Sequence, residues 1–364
     1  MRVLYFSRDY SPHDHRFLSA ILSGGHEAHY LRLERNTLPT EGRPLPAGVQ
    51  VVEWEGARSP WSWGQVSRLT AGLRQVLAQV RPDLVHAGPI QSCALLVALA
   101  GFRPLLTMSL GFDLMQDAHR GVLWLLATRY TLMRSTFFTS DARVTRDRAV
   151  AFGMDRRCTS VVPWGVDLSV FRPRAWPSKR PTTFTLFCNR AWEPRYGVDV
   201  LARAFVEVAG RRSDIRLILL AGGSQAPALQ RILSSGGALD RVEFGGQVQQ
   251  PDLPRWYHMA DLYISPSHVD GASVSLMEAM ACGLPALVSD IPGNREWVQE
   301  QENGWLFPDG DHAALAARIM DAAERWPQLS EMGKAGRRVA EARADWQVNS
   351  QNLMETYQKA WKGR

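Results

Sequence analysis

A polar loop in the second half of the chain carries the residues best suited to chemistry. A short apolar run ends near Ser265, a loop rich in glycine and serine follows, and a helical pattern begins near Val274. Such a loop presents free backbone N–H groups and the positive end of a helix dipole at one place, which is an arrangement that binds phosphates. The sequence therefore predicts an anion site here, suited to a pyrophosphate.

Two carboxylates flank this loop. Asp270 precedes the predicted helix, and Glu278 lies one turn inside it. Carboxylates on both sides of a phosphate site could accept hydrogen bonds from sugar hydroxyls. The spacing of Ser275 and Glu278 also fits a capping box, in which case the loop is only a turn between a strand and a helix. The local pattern leaves both interpretations open.

Two arginines follow the first predicted strand of the second half. Arg190 and Arg195 lie in a loop that leads into a helix. Guanidinium groups fixed at the end of a strand could neutralise a diphosphate, since their planar donors match phosphate oxygens. The alternative is a pair of surface arginines with no ligand.

The first half carries a weaker polar cluster. The loop after the first strand contains His13, Asp14 and Arg16, and we predict that Asp14 also caps the following helix. Asp113 follows another strand and is expected at the same edge of its sheet. These four residues are the candidates for the side that meets an acceptor.

Strands and helices alternate along the whole chain, which predicts an α/β fold with parallel sheets and right-handed crossovers. The predicted strands are Val3–Ser7, Gln50–Trp54, Asp83–Ala87, Leu105–Leu110, Phe137–Ser140, Thr182–Cys188, Ile215–Ala221, Arg241–Phe244, Leu262–Ser265 and Ala286–Ser289. The predicted helices are Gly64–Val80, Cys93–Gly101, Arg120–Met133, 197–210, 225–235, 252–260, 274–282 and 311–325.

The alternation stops once and then restarts. The stretch 163–181 contains four prolines, which resist helix and central strand, so it is interpreted as a linker. We predict Rossmann-like domains over residues 1–170 and 171–345, and a C-terminal helix, 346–364, that returns to the first domain. Ligands bind at the carboxyl ends of parallel strands, so the two domains are expected to face each other across a cleft.

Charge is spread unevenly along the chain. Residues 1–175 hold 21 arginines, no lysine and 14 acidic residues, whereas the remainder holds 21 basic and 22 acidic residues. This split is typical either of an anionic partner or of a solvated arginine-rich surface. Four cysteines without a C-x-x-C pair, and an N-terminus that starts directly in a strand, predict a cytoplasmic protein.

Together these segments resemble the family 4 glycosyltransferases, which are retaining enzymes of the GT-B fold. The stretch Asp270-Gly-Ala-Ser-Val-Ser-Leu-Met-Glu278 and its continuation to Pro285 match the family's C-terminal motif. Similar matches occur at Gly25-His-Glu27, Pro163-Trp-Gly-Val-Asp167, Asp290-Ile-Pro-Gly-Asn-Arg-Glu296 and Asn303-Gly-Trp-Leu-Phe307. The resemblance covers nearly the whole chain and is strongest over residues 182–310.

The resemblance implies a role for each matching residue. Glu278 would bind the nucleotide ribose, Asp270 the hydroxyls of the donor sugar, and Arg190 the diphosphate. The remaining donor contacts would come from the main chain and from residues near the base, namely Gly271, Ala272, Ser273, Val274, Ser275, Gln247 and Val248.

This chain departs from the family pattern at three positions. Asp270 stands where glutamate is usual, and Tyr196 stands where the family has lysine, so we expect Arg195 to supply that charge. Leu110 stands where many members have histidine, and Asp113 is expected to take over part of its role.

The resemblance implies a retaining glycosyltransferase that moves a sugar from a nucleotide-sugar, with UDP or GDP as the nucleotide, to a sugar, lipid-linked or small-molecule acceptor. We expect no essential metal, no nucleic-acid partner, and peripheral contact with an anionic membrane through the basic half. The alternatives are an inactive nucleotide-sugar-binding protein, or a phosphorylase or epimerase on the same fold. A dinucleotide-dependent oxidoreductase is disfavoured, because no predicted strand is followed by G-x-G-x-x-G.

Overall fold

The computed structural model describes residues 1–34, 41–56 and 60–363. The chain divides into two compact units, each built around its own parallel sheet. One unit comprises Met1–Trp164 and the chain from Gln347 onward, and the other comprises Gly165–Trp346. The predicted fold class, two Rossmann-like parallel-sheet domains, is confirmed.

The first unit contains a seven-stranded parallel sheet in the order β3-β2-β1-β4-β5-β6-β7. Its strands are β1 Arg2–Ser7, β2 Glu27–Arg32, β3 Gln50–Val52, β4 Leu84–Ala87, β5 Leu105–Met108, β6 Phe137–Ser140 and β7 Thr159–Val161. Its helices are α1 Pro12–Ser23, α2 Val66–Val80, α3 Leu95–Ala100, α4 Phe112–Met115, α5 Val122–Arg134 and α6 Arg143–Ala151. A π-helical turn, Ile90–Ala94, precedes α3.

The second unit contains a six-stranded parallel sheet in the order β10-β9-β8-β11-β12-β13. Its strands are β8 Phe184–Cys188, β9 Ile215–Leu220, β10 Val242–Gly246, β11 Leu262–Ser265, β12 Ala286–Ser289 and β13 Gly304–Phe307. Its helices are α7 Val198–Arg211, α8 Ala226–Ser235, α9 Leu253–Met259, α10 Val274–Ala281, α11 Pro292–Arg295, α12 His312–Glu324 and α13 Trp326–Arg343. The last helix, α14 Trp346–Lys362, lies almost wholly in the first unit.

Each sheet contains one place where the direction of winding reverses. In the first unit the reversal lies between β1 and β4, and in the second between β8 and β11. Loops that leave neighbouring strands there run to opposite faces and open a crevice at the carboxyl edge, where ligands of such sheets bind. The predicted site residues that follow β1 and β8 therefore lie where this kind of sheet most favours ligand binding.

Strand burial explains why most strands could be predicted from short apolar runs. The strands β4, β5, β6, β11 and β12 are buried at every position, because helices cover both faces of a parallel sheet. The strands β2 and β7 were not predicted. In β2, Glu27, His29 and Arg32 interrupt the apolar pattern, although His29 is buried in the folded unit.

The interpretation of 163–181 as a linker needs correction. The boundary between the units falls at its start, after Trp164, but the rest of the segment packs on the second unit. Phe171 is completely buried, and Arg174 forms an ion pair with Asp261 at 3.6 Å, with both side chains nearly inaccessible. Proline therefore shapes a packed segment here, and only its first residues connect the two units.

The C-terminal helix α14 is fixed to the first sheet by a buried hydrogen bond. Tyr357 Oη lies 2.6 Å from Nδ1 of His86 on β4, and both residues are inaccessible to solvent. Burial lowers the pKa of His86 to about 3 and raises that of Tyr357, so a neutral imidazole accepts from a neutral phenol. This bond joins residues that are 271 positions apart in the sequence.

We predict that Tyr357→Phe destabilises the first unit by about 1–3 kcal/mol, because His86 Nδ1 would then be buried without a donor. The measurement is the midpoint of urea unfolding. The matched control is Tyr130→Phe, which removes the same hydroxyl from a side chain that is 41% exposed. A shift of equal size in both variants would contradict a special role for the buried pair.

Candidate active site

The site is built where the winding of the second sheet reverses. The strands β8 and β11 are hydrogen-bonded neighbours, and their carboxyl ends deliver Arg190 and the loop 266–273 to one place. The helix α10 begins directly after this loop. The loop that the sequence predicts as an anion site therefore lies at the expected edge of the sheet, with Arg190 beside it.

The N-terminus of α10 is capped by Ser273, whose Oγ accepts from the backbone N–H of Leu276 at 3.4 Å. The alternative capping box of Ser275 and Glu278 is therefore wrong, since Ser275 lies within the first turn. Its hydroxyl instead accepts from Tyr263 Oη at 2.8 Å. Ser275 is thus available to other side chains, while Ser273 caps the helix.

The guanidinium of Arg190 donates hydrogen bonds to the side chains of this loop and of the first turn of α10. Its Nη2 donates to Asp270 Oδ2 at 2.6 Å, and its Nη1 donates to Ser273 Oγ at 2.9 Å and Ser275 Oγ at 3.0 Å. The ring of Tyr196 lies beneath it, with Cζ 4.3 Å from the ring centroid. The arginine and aspartate side chains are only 12% and 16% exposed. The two sequence-predicted charges therefore form one nearly buried ion pair.

Electrostatics keep Arg190 charged despite this burial. Burial lowers its pKa, but the negative charge of Asp270 raises it, and the balance places the pKa above the ordinary value for arginine. A cation held on three acceptors and an aromatic face has a fixed position. Such a cation can stabilise an oxyanion without reorganising.

Glu278 is 4% exposed and is held by a tyrosine that the sequence analysis missed. Tyr257 Oη donates to Glu278 Oε2 at 2.8 Å and lies 3.1 Å from the Ser275 carbonyl oxygen. It accepts from Asn189 Nδ2 at 2.9 Å. Burial, followed by the charge of Glu278, raises the pKa of Tyr257, so it remains a hydrogen-bond donor. The Glu278 carboxylate is therefore oriented by Tyr257 of α9.

The main chain of the loop 266–273 is packed against neighbouring backbone. A Cβ on Gly293 would lie 2.1 Å from the Gly271 carbonyl oxygen and 2.7 Å from that of Asp270. Gly271, Ala272 and Ser273 are buried, whereas Val274 is partly exposed. The main chain that is predicted to contact the donor thus belongs to a loop whose position is fixed by its packing against α11.

The other predicted donor residues lie at the same edge but outside the Arg190 cluster. Arg195 is half-buried, and its carbonyl oxygen accepts from the backbone N–H of His268 at 2.9 Å. Gln247 is exposed and Val248 half-buried after the edge strand β10, which β9 separates from β8. The structure therefore fixes the main chain at Arg195 beside the loop and leaves Gln247 and Val248 on one flank.

Three of the residues predicted in the first unit, His13, Asp14 and Arg16, lie on α1, after β1. The interpretation of Asp14 as the N-cap is wrong, because Ser11 caps α1 and Asp14 is its capping-box partner. Asp14 is buried and accepts from Tyr5 Oη at 2.9 Å. His13 packs against Trp164, with ring centroids 4.3 Å apart, and Arg16 is 8% exposed. These side chains are held in the unit rather than spread over its surface.

Asp113 is completely buried, which the sequence did not predict. Its carboxylate accepts from Ser109 Oγ, from the backbone N–H of Ile90 at 3.2 Å and from that of Leu114 at 3.0 Å. Burial raises its pKa to about 6, although these hydrogen bonds oppose the shift. Asp113 therefore ties the loops after β4 and β5 together and has no exposed surface to offer a ligand.

Two tyrosines, Tyr257 and Tyr263, are the site residues that sequence reasoning missed. Both are completely buried, and each phenol reaches a polar group of α10. The available signal was chemical, since a tyrosine inside an apolar segment needs a partner for its hydroxyl once it is buried. Over residues 1–34, 41–56 and 60–363, no group of three or more histidine, cysteine, aspartate or glutamate residues is arranged to hold a metal ion.

Family models match both halves of the chain. Residues 2–142 match the model described as glycosyl transferase 4-like, and residues 183–325 match the model described as glycosyl transferases group 1. The D-inositol 3-phosphate glycosyltransferase of Thermomonospora curvata is 30% identical over 59% of this chain and 55% of its own length. The GDP-mannose-dependent alpha-(1-6)-phosphatidylinositol monomannoside mannosyltransferase of Mycolicibacterium smegmatis is 29% identical over 59% of this chain and 60% of its own length. The chain spans about half the length of the curated relatives it matches.

Solved structures share the fold over the whole chain. Sucrose-phosphate synthase from Thermosynechococcus elongatus superposes with a TM-score of 0.80 at 18% identity, covering 100% of both chains. Anabaena HepE in complex with UDP and glucose superposes with a TM-score of 0.79 at 19% identity, covering 98% of this chain and 99% of that one. At this identity the likeness shows the fold and no more.

We predict that Gly293→Ala destabilises the second unit by about 1–3 kcal/mol, because the new methyl group collides with main chain that has little room to move. Gly210→Ala is the matched control, since a Cβ on that helical glycine meets no atom within 4 Å. That control should be neutral or gain up to about 1 kcal/mol. Thermal unfolding of both variants measures the difference, and equal stabilities would show that the loop has room.

Proposed function

The chain belongs to the glycosyltransferase family that these two models describe, and from this premise we propose that it transfers a sugar from a nucleotide-sugar to an acceptor hydroxyl with retention of configuration. The observation that carries the proposal is the Arg190 guanidinium, fixed on Asp270, Ser273 and Ser275 at the N-terminus of α10. The setting would be the synthesis of a glycan, glycolipid or other glycoconjugate.

Arg190 and α10 would bind the diphosphate of the donor. The first N–H groups of a helix point at an anion, and the helix dipole favours negative charge there. As the bond between the sugar and the phosphate breaks, negative charge grows on the leaving diphosphate, and a prepositioned guanidinium stabilises it. Because Arg190 and the N-terminus of α10 supply the positive charge that balances the diphosphate, we propose that transfer needs no metal ion.

The two carboxylates would bind opposite ends of the donor. Glu278, oriented by Tyr257, would accept hydrogen bonds from the ribose hydroxyls. Asp270, on the same loop, would accept from hydroxyls of the sugar near the reacting carbon. Gln247 and Val248 would lie beside the base, and the main chain of 271–275 would contact sugar and phosphate.

The nucleotide is UDP or GDP on this proposal. The HepE structure is a complex with UDP and glucose, whereas the mycobacterial relative is named for GDP-mannose. Several relatives are named for inositol phosphate or phosphatidylinositol acceptors, which supports a sugar or lipid-linked acceptor here. His13, which is half-buried, would meet that acceptor, while Asp14, Arg16 and Asp113, which are buried, would position α1 and the loops beside it.

The proposal is tested by turnover with a panel of UDP- and GDP-sugars, with and without sugar and lipid-linked acceptors, in the presence of a chelator. We expect release of the nucleoside diphosphate only when an acceptor is present. Arg190→Gln should lower kcat by about 10²–10³, the loss typical of removing one electrostatic stabiliser. NMR of the product should show the anomeric configuration of the donor.

The matched control is Arg211→Gln, which changes an exposed arginine at the end of α7. It should turn over like the wild type. Nucleotide binding without turnover would make the chain a binding protein. Release that needs phosphate in place of an acceptor would make it a phosphorylase, and conversion of one nucleotide-sugar into another without net release would make it an epimerase. Equal rates in the Arg190 and Arg211 variants would sink the assignment of the leaving-group site.

We predict that Glu278→Gln weakens nucleotide binding by about tenfold, which corresponds to about 1.4 kcal/mol, because a carboxylate accepts more strongly from ribose hydroxyls than an amide. Tyr257→Phe should produce part of this loss, since the carboxylate keeps its charge but loses its orienting donor. Calorimetric titration with UDP and GDP measures both variants. A tenfold loss for Tyr257→Phe with none for Glu278→Gln would assign the nucleotide contact elsewhere.

A further inference from the structure

The helix α5 exposes an apolar surface that the rest of its unit does not cover. Five large side chains on it are between 41% and 73% exposed: Val122, Leu123, Leu126, Tyr130 and Met133. Its opposite face is buried in the unit through small or polar residues and one leucine: Ala127, Thr128, Thr131 and Leu132. The helix therefore has two faces that avoid water, and the unit covers only one of them.

The exposed residues form one continuous stripe. At 3.6 residues per turn, the five side chains fall within an arc of roughly 100°, which is the width of a face that packs against another phase or partner. Arg129 borders the arc on one side and Arg134 on the other, and both are exposed. We name this surface the α5 stripe, meaning the five apolar residues with their two bordering arginines.

The charge around the α5 stripe has one predominant sign. Residues 120–157 contain eight arginines and three aspartates, and α5 itself contains no acidic residue. Arg143 and Arg148 of α6 are exposed, and Gly153 after α6 lies against the Met133 side chain. The sequence-predicted basic surface is therefore centred on an apolar stripe.

We infer that the α5 stripe binds the surface of an anionic lipid bilayer. The apolar side chains would enter the boundary between head groups and acyl chains, as interfacial amphipathic helices do. Arg129 and Arg134 would reach lipid phosphates while their stems cover apolar surface, and Tyr130 suits the interfacial layer. Within residues 1–34, 41–56 and 60–363, no helix has both the length and the apolar composition to cross a membrane, so the contact is peripheral.

Charge complementarity selects a lipid surface over a second copy of this chain. A symmetric pairing of two α5 stripes would place arginines of both copies at one interface, with no acidic residue of α5 to match them. An anionic leaflet supplies a matching charge at every position, and the attraction reaches about a Debye length. The inference does not depend on the donor chemistry proposed above.

The test is co-sedimentation of the whole protein with vesicles of phosphatidylcholine alone or mixed with phosphatidylglycerol, at low and high salt. The wild type should bind the mixed vesicles, and high salt should weaken the binding. Leu123→Glu/Leu126→Glu should reduce binding at least about tenfold, since each change removes a buried leucine from the lipid and adds a repelled charge. Val348→Glu is the matched control, because Val348 is 53% exposed, as Leu123 is, but lies on α14.

Three results would overturn the inference. They are wild-type binding that is equally weak for both lipids at low salt, binding by the double variant equal to that of the wild type, and a dimer that only the double variant dissociates. Light scattering after gel filtration detects the dimer. Thermal unfolding with and without UDP or GDP on the same variants separates a loss of folding or of the donor site from a loss of the lipid contact.

Discussion

The buried charge of Arg190 is the constraint on which the second unit's site depends. A guanidinium removed from water destabilises a fold unless it is paired, and here a carboxylate and two hydroxyls accept from its two terminal nitrogens while an aromatic ring lies against it. These partners come from the loops after β8 and β11 and from the first turn of α10. The three segments must therefore meet at one point, which only the reversal of winding between β8 and β11 allows.

That meeting requires backbones to approach more closely than side chains permit. A Cβ on Gly197 would lie 2.2 Å from the Pro266 carbonyl oxygen, and this residue has a positive φ of 59°, which favours glycine. Gly293 likewise allows α11 to approach the main chain of Gly271 closely. The glycines thus fix the spacing of the loops, and the loops fix the ion pair. A change at a residue that has no polar side chain can consequently alter the geometry of the charges.

The fold could be predicted from the sequence where whole strands are uniformly buried. The candidate site could be predicted where its polar residues lie close together in the sequence. Fully buried runs such as Leu262–Ser265 identified the strands, and the Gly-Ser loop before α10 identified the place where the polar side chains of the candidate site meet. Polar residues that become buried were misjudged, because a sequence does not show which loops will cover them. Asp14 and Asp113 read as exposed site residues, but each is enclosed by partners from other elements. Tyr257 was missed because its bond to Glu278 spans 21 residues and two helices.

The same reasoning bears on how the proposed site would hold two negative phosphates. Arg190 paired with Asp270 is nearly neutral as a unit, so it orients an anion more than it attracts one. Tyr196, at the position where lysine is usual in the family, stabilises Arg190 through its ring but adds no charge. The N-terminus of α10 contributes about half an elementary charge. A diphosphate therefore calls for a second full cation at this edge, and Arg195 is the residue whose main chain is already fixed beside the loop, at His268. On the proposed function, the lost lysine is replaced by two residues: Tyr196 holds the arginine that orients, and Arg195 supplies the charge that attracts.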